Sequence, residues 1–224
     1  MEIKGFTYGY MGKCGDWRSE RGIKSQDALY EIGNNWICLT VLNYQDTYCS
    51  TEIKRDFIRT PSDRDIAFSV EKARSKGVKV CLKPMVNSDD RMWRAYIDFP
   101  NEDMGGKDIY WTRWFESYTN FMTYYAQLAE ELGIEMLCIG CEMLGTERKE
   151  PYWRVLIKKV REVYSGKLVY NTNHGKETEL TDLESKPVEP FLMNDTMYVP
   201  VSPLVRKFGK TSVYDKSKKM LSIK

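Results

Sequence analysis

Three features of the sequence predict an α/β fold built on a parallel sheet. Apolar, strand-sized runs alternate with helix-sized stretches along most of the chain. The runs are apolar at nearly every position, as strands buried on both faces are. Each helix-sized stretch ends at a glycine: Gly33, Gly77, Gly133 or Gly166. Strands joined through helices pair in parallel by right-handed crossovers. An open doubly wound sheet and an eight-stranded barrel both satisfy this pattern.

The elements follow in order. Ile3–Tyr8 (IKGFTY) is a short first strand, and Glu20–Ile32 a helix. Trp36–Leu42 (WICLTVL) is the second strand. Thr60-Pro61-Ser62-Asp63 opens a helix, with Thr60 as its N-cap and Pro61 at the first helical position, running to Lys76. Val78–Lys83 (VKVCLK) is the third strand. A long acidic and aromatic loop, Pro84–Tyr110, comes next, and loops of that length inside compact domains usually carry function. Trp111–Leu132 is a strong helix, with Trp114, Phe115, Tyr118, Phe121, Met122, Tyr125, Leu128, Ala129 and Leu132 on one face. Ile134–Gly140 (IEMLCIG), a helix at Pro151–Tyr164 and the strand Lys167–Asn171 (KLVYN) complete five strands and four helices.

After a polar linker at 178–187 the pattern changes to β-β-α-β-β with hairpin turns: Val188–Met193, Thr196–Val201, a helix at Ser202–Phe208, Thr211–Tyr214 and Lys219–Ile223. The expected organisation is therefore a main α/β body over 1–177, a linker, and a small module over 188–224. The body uses about 35 residues per βα unit, so eight units would need about 277, more than the 224 present.

Composition narrows the function. Net charge is +2 from 34 basic and 32 acidic residues, and the body carries no basic field to attract nucleic acid. No segment approaches the roughly 18–20 apolar residues of a membrane span. MEIKGFTYGY has neither the basic nor the apolar part of a secretory signal, so the sequence as it stands reads as cytoplasmic. No phosphate-binding glycine motif follows a strand. The six cysteines read as reduced thiols. Cys138-Ile139-Gly140-Cys141 lies on a strand beside no second pair and the chain has one His, so neither a metal nor a cofactor is expected.

Glu142 stands out chemically, because it lies just beyond the fourth strand, at the carboxyl end where parallel α/β proteins place their active sites. A carboxyl partly screened from water there could protonate a leaving group. Lys83 and Asn87 follow strand three, and Asn171, Asn173 and His174 end strand five. Trp17 follows strand one, and Trp93 and Trp111 lie in or beside the long loop. Amides, a lysine and tryptophan faces are what a sugar site uses.

Residues 4–177 resemble the N-terminal part of glycoside hydrolase family 113, the β-mannanase-type (β/α)8 barrels. The resemblance is carried by KGFTYGYMGKCGDW, GNNWICLTVLNYQDT, TPSDRD, GVKVCLKPMVN, MWRAYIDFP, WFESYTNFMTYYAQLAEELGIEMLCIGCEM and YWRVLIKKVREVYSGKLVYNTNHGKE. It implies an incomplete TIM-type barrel of about five βα units. It also implies Glu142 as the general acid/base of a retaining β-1,4-mannosidic cleavage, with Lys83, Asn87, Trp93, Asn173 and His174 on the glycone side. The expected partner is β-mannan or a related polysaccharide. Cys141 departs from the polar residue expected before the acid. The family's nucleophile sits at the seventh strand, for which this sequence has no counterpart. The expectation is thus a truncated mannanase-like chain without its nucleophile, unless self-association of two half-barrels supplies the second carboxylate or a local residue such as Glu147 or Glu177 stands in. The alternative is a non-catalytic carbohydrate-binding remnant. PFLMNDTMYVPVSPLVRKFGKTSVYDKSKKMLSIK resembles one copper-amine-oxidase N-terminal-like (stalk-type) unit, a non-catalytic module that implies no copper. The outer strands of a five-stranded sheet invite pairing, which predicts self-association or coverage of those edges by the tail.

Overall fold

The computed structural model describes residues 3–99 and 108–173, with the backbone of four short strands beyond them. The main sheet has five parallel strands in chain order, β1 (Gly5–Tyr8), β2 (Trp36–Gln45), β3 (Lys79–Ser88), β4 (Met136–Cys141) and β5 (Lys167–Asn171). The connecting helices are α1 (Glu20–Glu31), α2 (Asp63–Ser75), α3 (Ile109–Glu131), the single turn α4 (Leu144–Glu147) and α5 (Glu150–Arg161). Sequential parallel strands joined by helices form the α/β arrangement expected, and it is that of a partial TIM-type barrel.

The two faces of the sheet differ. Ile37, Leu39, Val41, Val80, Leu82, Leu137 and Ile139 are buried in one core with the aromatic face of α3. The opposite face carries Trp36, Cys38, Cys81, Met136 and Cys138, and further along Leu42, Tyr44, Met85 and Cys141. Because alternate residues share a face, Lys83 and Asn87 fall on this thiol-bearing side with Cys81 and Met85.

Two strands run past their expected ends. β2 continues through Asn43, Tyr44 and Gln45, and β3 through Pro84 to Ser88, paired with β2 throughout. The β3–β4 ladder covers only Cys81 and Leu82, so Pro84 sits where that side of the strand has already lost its partner and a missing N–H is tolerated. α2 starts later than expected. Ser62 is its N-cap and forms a capping box with Asp65, while the Thr60 hydroxyl donates instead to the Leu42 carbonyl at 2.6 Å.

β4 carries the irregularity that matters most for the site. Cys138 pairs with Val169 and Cys141 with Asn171, so three steps along β4 match two along β5, a β-bulge. Cys138 and Cys141 therefore lie on one face of the sheet despite their odd spacing. Gly140, inside the bulge, faces two rings: a Cβ there would lie 2.4 Å from Tyr170 Cε2 and 2.8 Å from Trp153 Cη2. Gly140→Ala is expected to destabilise the fold by about 1–3 kcal/mol through overpacking. Urea unfolding measures it, and a change under about 0.5 kcal/mol would show that the rings simply move aside.

In the C-terminal stretch Phe191–Met193 pairs antiparallel with Thr196–Tyr198, and Ser212–Asp215 with Met220–Ile223, two hairpins where hairpins were expected. The helix expected at 202–208 and the linker at 178–187 lie outside the described residues.

Candidate active site

Glu142 follows the bulge at the carboxyl end of β4 and has a left-handed backbone, with φ of 54°. That conformation is unfavourable for a residue with a side chain, and such strain gathers at functional sites. Its N–H donates to the Asn171 carbonyl at 2.8 Å, which ties the turn to β5. The carboxylate is 14% exposed, enclosed but reachable. Its Oε2 accepts from Arg94 Nη1 at 2.6 Å and from Trp93 Nε1 at 3.2 Å. No donor among the described residues bonds Oε1.

Arg94 is the residue that sequence reasoning missed. It lies in the 3-10 turn Arg94–Tyr96, and its side chain is only 7% exposed. Besides Glu142 it donates from Nε to the Val86 carbonyl at 3.0 Å and from Nη2 to Asn87 Oδ1 at 2.5 Å. The one available signal was a charged residue inside the otherwise apolar run W-R-A-Y-I. The turn is held down by Ile97 and Phe99, both buried in the core, and by Arg148 pairing with Asp98. Gly145 permits the fit, since a Cβ there would meet the Ile97 carbonyl oxygen at 2.1 Å.

The structure thus gathers Asn87, Trp93 and Glu142 around one guanidinium. Trp93 remains 39% exposed, with its ring edge-on to Tyr96 at 5.9 Å between centroids. Lys83 is buried on the thiol face without a hydrogen bond or ion pair among the described residues. Burial alone would lower its pKa, but negative charge on the surrounding cysteine sulfurs, Cys38 first, favours the ammonium and holds it above the ordinary lysine value. The Cys38 thiol is in turn lowered, chiefly by the neighbouring Cys81 thiol and with help from the Lys83 charge, against its burial. Burial pushes the Cys141 thiol up to about 11. Asn173 is buried with neither amide atom bonded among the described residues, so its hydrogen-bonding capacity is unused there.

Other expected site residues lie elsewhere. Trp17 is buried against Tyr8, Gly9 and Gly12 and presents no open face. Trp111 is a core residue packed on Phe99 and Phe115. The polar residues at the end of β2 are not candidates either: Asn43 accepts from the Tyr125 hydroxyl and Gln45 from the Trp114 indole, so both serve to seat α3. Glu147 accepts from the Tyr170 hydroxyl at 2.8 Å. His174 and Glu177 lie outside the described residues.

A parallel βα sheet with a strained, half-enclosed carboxylic acid at the end of its fourth strand defines a barrel-type protein with a candidate acid/base site. The sequence profile of Glycoside Hydrolase Family 113 matches residues 6–210, and the chain belongs to that family. A solved complex of a GH113 β-1,4-mannanase is similar at 37% identity and a TM-score of 0.75, over 80% of this chain and 58% of that one. The GH113 β-mannanase AaManA from Alicyclobacillus acidocaldarius, solved in complex with ManMIm, is similar at 40% identity and a TM-score of 0.73, over 78% of this chain and 56% of that one. The chain thus spans under two thirds of the length of either enzyme. No curated protein matches the sequence. The family match runs to residue 210, well into the stretch expected to be a separate stalk-type module, and so gives that expectation no support.

Proposed function

We propose that this chain carries the proton-donor half of a retaining β-1,4-mannan-cleaving site, with Glu142 as general acid/base. One observation carries the reading: an enclosed carboxylate at the fourth strand's end, anchored through Oε2 and open at Oε1, in a family 113 chain. In a retaining cleavage the acid protonates the departing glycosidic oxygen, then deprotonates the water that releases the sugar from the nucleophile. Lys83, Asn87, Trp93 and Asn173 supply donors and an aromatic face for the glycone, joined in this reading by His174, whereas Trp17, enclosed beside β1, does not serve it.

Double displacement also requires a second carboxyl about 5–5.5 Å from the first. The groups bonded to Glu142 among the described residues are a guanidinium and an indole, and neither is shared with another carboxylate. That favours, as a second reading, a site that binds mannan without cutting it. We further infer self-association through the outer strands β1 and β5, or coverage of those edges by the tail, and a stalk-type unit at 188–224 that rests on its N-D-T-M-Y-V-P-V segment and the F-G after it.

Reducing-end release from β-1,4-mannan decides between the readings, with particle size measured by light scattering on the same sample. Cleavage by a dimer is the expected result. Binding without cleavage selects the second reading. Neither binding nor cleavage rejects both, and a monomer rejects the pairing of edges.

A further inference from the structure

We propose that Arg94 is the positioning residue of this site, locking Glu142 by Oε2 so that Oε1 carries the transferable proton, and fixing Asn87 with its amide N–H2 as the donor end. This rests on the glycosidase reading above and adds to it the group that sets the acid's orientation.

A guanidinium presents its N–H donors in one rigid plane. Arg94 engages all three of its nitrogens: Nε on the Val86 carbonyl, Nη1 on Glu142 and Nη2 on Asn87. The first of these anchors the plane to the backbone of β3, inside the core. The other two then fix side chains on different elements relative to that strand. Trp93 adds a second donor to the same Oε2, so both lone pairs of that oxygen are used. A proton placed on Oε2 would cost one of these bonds, whereas Oε1 accepts from nothing among the described residues. The same logic orients Asn87: its Oδ1 is occupied by Arg94, and its N–H2 has no partner among the described residues. Lysine at this position would keep a charge but lose the planar fork.

Arg94→Met and Arg94→Lys test this, assayed on β-1,4-mannan and on a dinitrophenyl β-mannoside whose leaving group needs no proton. Displacing a catalytic group by about 1 Å costs about 10²-fold. R94M is expected to lose about 10²-fold in kcat on mannan but at most about tenfold in its first-step rate on the aryl mannoside, where only the loosened Asn87 hydrogen bond is felt. R94K is expected to recover only part of the loss. Equal losses on both substrates, or no loss on mannan, overturn the proposal. If R94M fails to fold, R94K carries the same comparison. If the wild-type chain cleaves neither substrate, the glycosidase reading falls by itself, and the clamp is judged from the Trp93 indole N–H resonance. That signal should move in E142Q and move again in the Arg94 variant. A resonance that shifts in E142Q but not in the Arg94 variant overturns the clamp.

Discussion

Glu142→Gln is expected to lower reducing-end release from β-1,4-mannan by about 10²–10⁴-fold, the usual contribution of a positioned general acid. The substitution is nearly isosteric. The Gln carbonyl oxygen can still accept from Arg94 and Trp93 in place of Oε2, so the turn after β4 keeps its anchors. What is lost is the acidic proton at the remaining position, which becomes an amide N–H2. The loss should therefore depend on the substrate's need for that proton. With a dinitrophenyl leaving group the first displacement needs no acid and should proceed, while release of the sugar slows because no base activates water. Azide needs no deprotonation, so adding it should restore turnover and give a glycosyl azide of retained configuration. Wild type and E142Q cleaving mannan equally would remove Glu142 from the mechanism. Loss on both substrates, without azide rescue, would assign it a structural role instead.

The parts of this fold that were legible in the sequence are those where burial leaves little choice. Trp36–Leu42 and Ile134–Gly140 are apolar at nearly every position, and the sheet covers both of their faces. The long face of α3 was equally plain, because nine of its side chains pack inward. Errors arose where a long-range contact settled a local tie. Thr60 and Ser62 are both good N-caps with an acid three residues on, and only the bond from Thr60 to Leu42 in β2 shows why Ser62 was left to cap α2. Pro84 read as a strand end because the early end of the β3–β4 ladder cannot be seen from the chain. At the candidate site Glu142 stands out in the sequence by its place after a strand, but its contact with Arg94 does not. Arg94 and Glu142 are 48 residues apart, on different βα units, and no local pattern links them. The bulge that aligns Cys138 with Cys141 was likewise hidden, since it exists only relative to β5.

The largest effect expected on stability comes from a different carboxylate. Asp65→Ala should cost roughly 2–4 kcal/mol, from a lost helix cap and several hydrogen-bond donors left without their acceptor, with little from the solvent-screened Arg18 pair. Asp65 is fully buried at the start of α2. Its Oδ2 accepts from the Ser62 N–H at 2.8 Å, the Ser62 hydroxyl at 2.5 Å and the Gly15 N–H at 2.9 Å, and its Oδ1 from Arg18 Nε at 2.8 Å. One side chain thus closes the capping box and ties the loop after β1 to the loop after β2. Alanine leaves two part-buried N–H groups, the Ser62 hydroxyl and a half-exposed guanidinium without their acceptor, a cost that water meets only in part. Against a typical total of about 5–15 kcal/mol, that is a large fraction. The pH dependence has a definite sign. Burial alone pushes the Asp65 carboxyl up, but the Ser62 hydroxyl, the Gly15 N–H and Arg18 outweigh it and hold it below its ordinary 3.8. Asp56 is held down to about 2, chiefly by the Arg59 backbone and side-chain donors. A carboxyl lowered in the folded state stabilises fully above its unfolded value and loses that contribution as pH falls toward its folded one. Wild type should therefore lose stability below about pH 4, and Asp65→Ala should lose less over the same interval because part of that contribution is already gone. Urea unfolding at pH 7 and at pH 3 measures both effects. A cost under about 1 kcal/mol at pH 7, or an unchanged acid slope, would show that water replaces Asp65 as acceptor and that the two loops are not held together by it.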